Sequence, residues 1–402
     1  MDQSFVRFSS RITHLQPEGA YAVLARAQEL EAAGANIIHL EIGQPDFETF
    51  PHVSLAGVRA IVTGQTRYTP PAGQRELRAA IAAYARGQYG LDCDPAQVVV
   101  GPGAKPLLFF AMMALLEADD EVLYPDPGFP SYPAIIRAMG ATPVPVPLEE
   151  ERGFALDLEA LHNRLSTRTR MIILNSPANP TGGVLPAQDL EKIAALARER
   201  DCWVLSDEIY SRLVFADTPP PSIAGRPGMA ERTILVDGFS KTYAMTGWRL
   251  GFGIMPAHLA HRVTLLITHA IGCTAAFTQQ AGLAALTGPQ QEVTAIREQF
   301  RRRRDTLVAG LNAIPGIRCQ VPDGAFYAFP NIRALGRTSA AIADILLEHA
   351  GVAVLPGTDF GACGEGYLRI CFAHSPATLT EALRRMSRVL ADLAPSVGSR
   401  AE

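Results

Sequence analysis

Lysine is nearly missing from this chain. Of 36 basic residues among 402, three are lysines, Lys105, Lys192 and Lys241, and the rest are arginines. A GC-rich genome produces such a bias without selection for function. It leaves only three candidates for any chemistry that needs a lysine amine. An excess of charge of one sign is lacking too. The net charge is -4, so there is no basic footprint for nucleic acid. The six cysteines, Cys93, Cys202, Cys273, Cys319, Cys363 and Cys371, form no C-x-x-C pair and no repeating spacing. That argues against a zinc site or a disulfide framework and for a reducing compartment. Apolar runs such as residues 107–116 are too short to span a bilayer. Met1-Asp2-Gln3-Ser4 begins no basic-then-apolar stretch, so no signal peptide is expected. The histidines show no metal pairing. The expectation is a cytoplasmic protein with no metal.

What is present is a large apolar fraction, 48%, too high for a disordered chain. The length suggests two or three domains. Residues 17–34 read as a helix, with Val23, Leu24, Ala27 and Leu30 at helical spacing, and residues 37–42 as a short strand. From about residue 90 strand and helix patterns alternate. Strands are expected at 97–101, 121–124, 171–175, 203–207, 233–237 and 250–254, and helices at 106–117 and 189–200. Such alternation predicts an α/β domain with a mainly parallel sheet. After residue 290 a charged helix (292–311) and shorter elements predict a second, smaller domain, joined by the N-terminal segment.

Ligands of open α/β sheets bind outside the carboxyl ends of the strands. Each of these ends carries a distinctive group: Gly101-Pro-Gly103, Pro125-Asp-Pro-Gly-Phe129, Asn175 with Asn179, Asp207-Glu-Ile-Tyr210 and Gly238-Phe-Ser-Lys241. Together they supply backbone amides, an aromatic ring, an amide, a carboxylate, a phenol and an amine. That set suits a phosphorylated, planar, nitrogenous cofactor. A nicotinamide site fails, because Pro106 stands at the third glycine position of the required Gly-x-Gly-x-x-Gly, and no Gly-Lys-Ser/Thr of a phosphate loop occurs. Of the lysines, Lys192 faces away from the apolar stripe Leu190, Ile193, Ala194, Ala197 and reads as solvated. Lys105 precedes Pro106, which suits a first helical position, and is either an anion contact or a solvated charge at a helix start. Lys241 lies on a loop after a strand.

The run Gly238-Phe-Ser-Lys241-Thr-Tyr-Ala-Met-Thr-Gly-Trp-Arg249-Leu-Gly251 resembles the cofactor-lysine signature of class I pyridoxal-phosphate aminotransferases of fold type I. Further matches follow in that family's order: Gly43-Gln-Pro-Asp-Phe47, Tyr68-Thr-Pro-Pro-Ala-Gly73, Asn175-Ser-Pro-Ala-Asn179-Pro-Thr-Gly182, Ser206-Asp207-Glu-Ile-Tyr210, Pro322-Asp-Gly-Ala-Phe-Tyr327, Pro356-Gly-Thr-Asp-Phe360 and Leu368-Arg369-Ile370. They span about residues 8 to 390 and are most similar to the bacterial aspartate aminotransferase-like branch.

The resemblance implies a large α/β domain at 51–286 with a mostly parallel seven-stranded sheet. A small α+β domain would be built from 1–50 and 287–402. It implies a cofactor, pyridoxal 5'-phosphate, held by Lys241 as a Schiff base, with the freed amine moving a proton. Asp207 would pair with the pyridine nitrogen, Asn179 and Tyr210 with the ring oxygen, and Phe129 would stack on the ring. Arg249, Ser240 and the amides of Gly103, Ala104 and Lys105 would hold the phosphate, with Tyr68 reaching the other subunit's cofactor in a homodimer that shares its sites. Arg369 would clamp the substrate carboxylate, assisted by the Gly43 amide. Gly238 stands where many members have serine. Lys105 favours aspartate or glutamate with 2-oxoglutarate as substrates, whereas the weakly polar stretch 269–277, expected to come from the partner, allows smaller or apolar ones. The alternative is a lyase or tailoring enzyme with the same cofactor. A DNA-binding regulator would need an extension longer than the sixteen residues before Pro17.

Overall fold

The computed structural model describes residues 8–9, 11–13 and 15–391. The stretch read for a signal peptide and both outer ends of the expected small domain lie outside the described residues. Eight strands form the central sheet: β1 (Val98–Gly101), β2 (Glu121–Asp126), β3 (Thr142–Glu149), β4 (Ala155–Leu156), β5 (Thr169–Asn175), β6 (Trp203–Asp207), β7 (Thr233–Gly238) and β8 (Gly251–Ile254). Their spatial order is β1-β8-β7-β6-β5-β2-β3-β4. Neighbours from β7 through to β3 run parallel, whereas β8 is antiparallel to both β7 and β1, and β4 to β3. The sheet therefore has one strand more than the seven expected. The addition is the two-residue β4, which pairs only with the end of β3.

Both faces of the sheet are covered, and the side-chain alternation of its strands shows it. Val122, Tyr124, Met171, Ile173, Leu205, Ile234 and Val236 pack on one side against residues of helices Ala104–Leu115, Ser131–Ala138 and Ala257–Ala270. Leu123, Ile172, Leu174 and Val204 face the other way, onto Leu190, Ile193, Ala194 and Ala197 of helix Ala187–Glu199. That is the stripe read from sequence, and Lys192 is exposed opposite it. A third buried cluster joins β1 and β8 to helix Arg75–Tyr89 and to the C-terminal part of the chain.

In that C-terminal part, Leu368–Cys371 lies between Tyr327–Ala328 and Leu355–Pro356 in a small antiparallel sheet. Ile38–His39 pairs in parallel with Val352–Ala353. The N-terminal segment is thus stitched to the C-terminal part of the chain. One expected boundary is corrected. The helix after β1 begins at Ala104, not Pro106, with Gly103 as its N-cap at φ 93°. Proline at the third helical position costs no hydrogen bond, because the first four helical N–H groups have no partner within the helix.

Candidate active site

The carboxyl ends of β5, β6 and β7 open on a cavity of about 670 Å³, a size suited to a small-molecule ligand. Pairing of Asn175 with Asp207, and of Asp207 with Val236, brings these ends into line. Eleven of the thirteen residues singled out from sequence line it: Gly43, Ala104, Lys105, Phe129, Asn179, Asp207, Tyr210, Ser240, Lys241, Arg249 and Arg369. Gly103 stands just behind, against Arg249. Tyr68 lies away from it and is 94% exposed.

Lys241 follows β7 on the loop that turns back into β8. Its Nζ donates to the Gly43 carbonyl at 2.7 Å. Burial, together with the positive charges of Arg369, Arg249 and Lys105, lowers its pKa to about 8. Gly43 must be glycine here, since a Cβ would overlap the Tyr327 hydroxyl.

Asp207 is buried at the end of β6. Tyr132 Oη donates to its Oδ2 at 2.8 Å and the Ile209 N–H to its Oδ1 at 3.3 Å. Burial raises its pKa to about 6; those two bonds and the Lys241 charge oppose the rise. A cation beside it would favour the ionised form further. Asn175 fixes the neighbouring loop, accepting from the Asn179 N–H at 2.8 Å and donating to the Asp207 carbonyl at 3.0 Å. Tyr210 and Tyr327 share a hydrogen bond of 2.9 Å, and burial pushes the Tyr210 phenol well up.

Arg369 is 4% exposed. Its guanidinium donates to Asn179 Oδ1 at 3.2 Å and to the Glu41 carbonyl. It stacks over the Tyr327 and Phe360 rings at 4.5 and 4.8 Å. Its Nε is buried with no partner among the described residues. The group is thus fixed in place, with a donor still to satisfy. Arg249 sits at φ 53° and Ala244 at φ 50°, conformations unusual for residues with a Cβ. The Lys241–Arg249 loop is held by Thr49, which donates to the Ala244 carbonyl at 2.7 Å and accepts from Trp248 Nε1 at 3.0 Å. A Cβ on Gly103 would overlap the Arg249 guanidinium, so helix start and arginine share one small space. Free N–H groups of that helix start and a guanidinium together make an anion cradle.

Gly238 is closely packed. A Cβ there would lie 3.1 Å from Gly251 Cα, the Leu250 carbonyl and Ile209 Cδ1, leaving little room for a serine. Lys105 is neither free nor simply solvated, being ion-paired to Glu18 at the cavity mouth. Cys273, Thr274, Ala275 and Phe277, from the stretch expected to reach a partner, line an adjoining cavity of about 780 Å³ with Trp248 and Arg249.

Sequence reasoning gave no role to Tyr132, Tyr327 or Glu18. Tyr132 lies three residues beyond Phe129, and Tyr327 ends a motif already quoted. Glu18 carried no signal, because nothing local points it at residue 105.

The family model described as aminotransferase class I and II matches residues 35–386. The chain is 39% identical over 399 residues to the aspartate/prephenate aminotransferase of Cereibacter sphaeroides, covering 96% of this chain and 99% of that one. It is 39% identical to aromatic-amino-acid aminotransferase 2 of Thermococcus litoralis, covering 95% and 98%. The crystal structure of Thermus thermophilus aspartate aminotransferase with maleate superposes with a TM-score of 0.91 at 38% identity, covering 96% and 100%. Fold, ordered motifs and relatives agree: the chain belongs to the class I and II aminotransferases.

Proposed function

We propose that this enzyme uses pyridoxal 5'-phosphate to move an amino group from an L-amino acid to a 2-oxo acid such as 2-oxoglutarate. The observation that carries the reading is the convergence of Lys241, Asp207 and Arg369 on one cavity. When bound, the cofactor supplies a carbonyl that links to amines and a ring that draws electron density from the substrate. The residues fit it. Gly103 lets the Arg249 guanidinium lie against the helix start, Asp207 is a buried carboxylate awaiting a cation, and Arg369 has a donor to spare.

Each residue then has a task. Arg249, Ser240 and the amides of Gly103, Ala104 and Lys105 hold the phosphate. Asp207 keeps the ring nitrogen protonated. Asn179 and Tyr210 hold the ring oxygen, and Phe129 covers a ring face. Arg369 orients the substrate carboxylate, with Gly43 beside it. Lys241, its proton affinity depressed by burial, takes a proton from the substrate α-carbon and returns it on the cofactor side. The aspartate-named relatives favour aspartate and glutamate, as does Lys105 wherever its charge is free to meet a substrate carboxylate, within a range that extends to aromatic side chains.

Two further parts belong to this reading. One is the division into a large domain, 51–286, and a small one, 1–50 with 287–402. The other is a homodimer in which Tyr68 reaches the partner's phosphate, supported by its exposure and by exposed Leu55, Val58, Ile61 and Val62 on helix Pro51–Val62. Among the described residues no helix is long and apolar enough to cross a membrane. The six unpaired cysteines favour the cytoplasm.

Borohydride reduction of the yellow holoenzyme should fix the cofactor on Lys241. Label on Lys105 or Lys192 would overturn the assignment. Mixing with single amino acids should yield the matching 2-oxo acid; release of ammonia with pyruvate would point instead to elimination.

A further inference from the structure

The cavity mouth holds a pair of opposite charges whose acidic member has no task in the reaction as proposed. Lys105 Nζ is ion-paired with Glu18 Oε1, and Ser131 Oγ donates to the same oxygen at 2.8 Å. The ammonium also lies 5.0 Å from the Phe129 ring centre. Glu18 stands just before helix Gly19–Ala32, and its side chain makes no capping bond to that helix. It reaches instead to the helix that follows β1. Both charges, with Tyr21, line the cavity.

This pair decides what the far end of a substrate meets. A free lysine would attract a second carboxylate and would be left unpaired by an uncharged side chain. With Glu18 in place the opposite holds. An uncharged or aromatic side chain leaves the pair intact beside Phe129 and Tyr21. A distal carboxylate meets a like charge at nearly the same distance as the ammonium, and the two effects largely cancel.

We propose that Glu18 is a specificity-determining residue, an internal stand-in for the distal carboxylate of a dicarboxylic substrate. With the pair closed the site takes neutral and aromatic side chains. It takes aspartate-type ones only as Glu18 releases Lys105. The proposal rests on the aminotransferase reading of the cavity and names the substrate range of that site.

The test uses holoenzyme and two unreactive probes, maleate with two carboxylates and 3-phenylpropionate with one, titrated by the change in cofactor absorbance and by calorimetry. Glu18→Gln keeps the size and an acceptor for Ser131 but removes the charge. Maleate should bind about tenfold tighter, while 3-phenylpropionate changes by less than about twofold. Adding Lys105→Gln should abolish the gain. Unchanged maleate affinity in Glu18→Gln, or a gain that survives loss of Lys105, overturns the proposal. In parallel, half-reactions of the same proteins should show the aspartate-to-phenylalanine ratio of kcat/KM rising by a similar factor. If no amino acid reacts with the wild-type protein, the aminotransferase reading fails, while the maleate titration still judges Glu18.

Discussion

Tyr132 Oη donates to Asp207 Oδ2 at 2.8 Å, from the helix that opens just beyond Phe129 to the end of the middle strand. The bond favours the ionised carboxylate against the cost of burial. In Tyr132→Phe the Asp207 pKa should rise above about 6 in the cofactor-free protein, and the hold on a pyridinium nitrogen should weaken. Affinity for pyridoxal phosphate should fall about tenfold, the scale of a hydrogen bond to a charged group. Fluorescence titration of the apoenzyme measures it; an unchanged affinity would detach Tyr132 from the cofactor.

Gly103 can be tested with its own control. Alanine there meets both the positive φ and the Arg249 guanidinium. Gly103→Ala should weaken pyridoxal phosphate binding about ten- to a hundredfold. Pyridoxal, which lacks the phosphate, should bind almost as before. Equal losses for both would mean general distortion.

Arg369→Lys replaces a planar fork with a point charge. KM for amino acids should rise and kcat/KM fall about a hundredfold, measured by steady-state assay with saturating 2-oxo acid. Lysine cannot at once reach Asn179 Oδ1, the Glu41 carbonyl and a carboxylate, so unchanged kinetics would remove Arg369 from the substrate site.

Lys241 should become reactive well below an ordinary lysine. With a pKa near 8, its amine is half neutral in the cofactor-free protein where an exposed lysine, near 10.4, is almost fully charged. Labelling of Lys241 by a limiting aldehyde and reductant should rise between pH 7 and 9 and then level off, as read by peptide mass spectrometry. A steady climb to pH 10 or beyond would contradict a depressed value.

Behind Asp207 lie two more buried carboxylates. Asp237 accepts from Tyr89, from Ser211 at 3.2 Å and from the Gly238 N–H at 2.6 Å. Glu208 accepts from Ser206 at 2.9 Å and Ser222 at 2.5 Å. Burial raises them to about 7 and about 8. Both bind protons more tightly folded than unfolded. Their contribution is therefore full below about pH 4 and is lost as pH rises through 7 and 8. The Tm of Asp237→Asn relative to wild type should accordingly climb by several degrees between pH 5 and 8 in the cofactor-free protein. A constant difference would refute the raised value.

Much of this molecule was legible in its residues, and the gaps have physical causes. The parallel strands read clearly because Val204-Leu205 and Ile234-Leu235-Val236 are buried on both faces. β3 did not, because Thr142-Pro-Val-Pro-Val-Pro-Leu-Glu149 carries three prolines. Thr142 donates to the Asp120 carbonyl, so the N–H positions at 143, 145 and 147 point away from β2, towards a side that only the short β4 covers. Asn179 and Arg369, which line the cavity, can be singled out because they stand within ordered motifs. Glu18 could not be, because it meets Lys105 from a separate segment 87 residues earlier in the chain.

The two left-handed residues of the lysine loop differ in what mutation can offer them. At Ala244 the methyl touches no ligand group in the proposed site, and glycine would relieve the conformation by about 1 kcal/mol while keeping the carbonyl that Thr49 binds. At Arg249 the same relief would delete the guanidinium at the helix start. One position is an open route to a sturdier fold; five residues on, the identical change would strip the proposed phosphate cradle of its arginine.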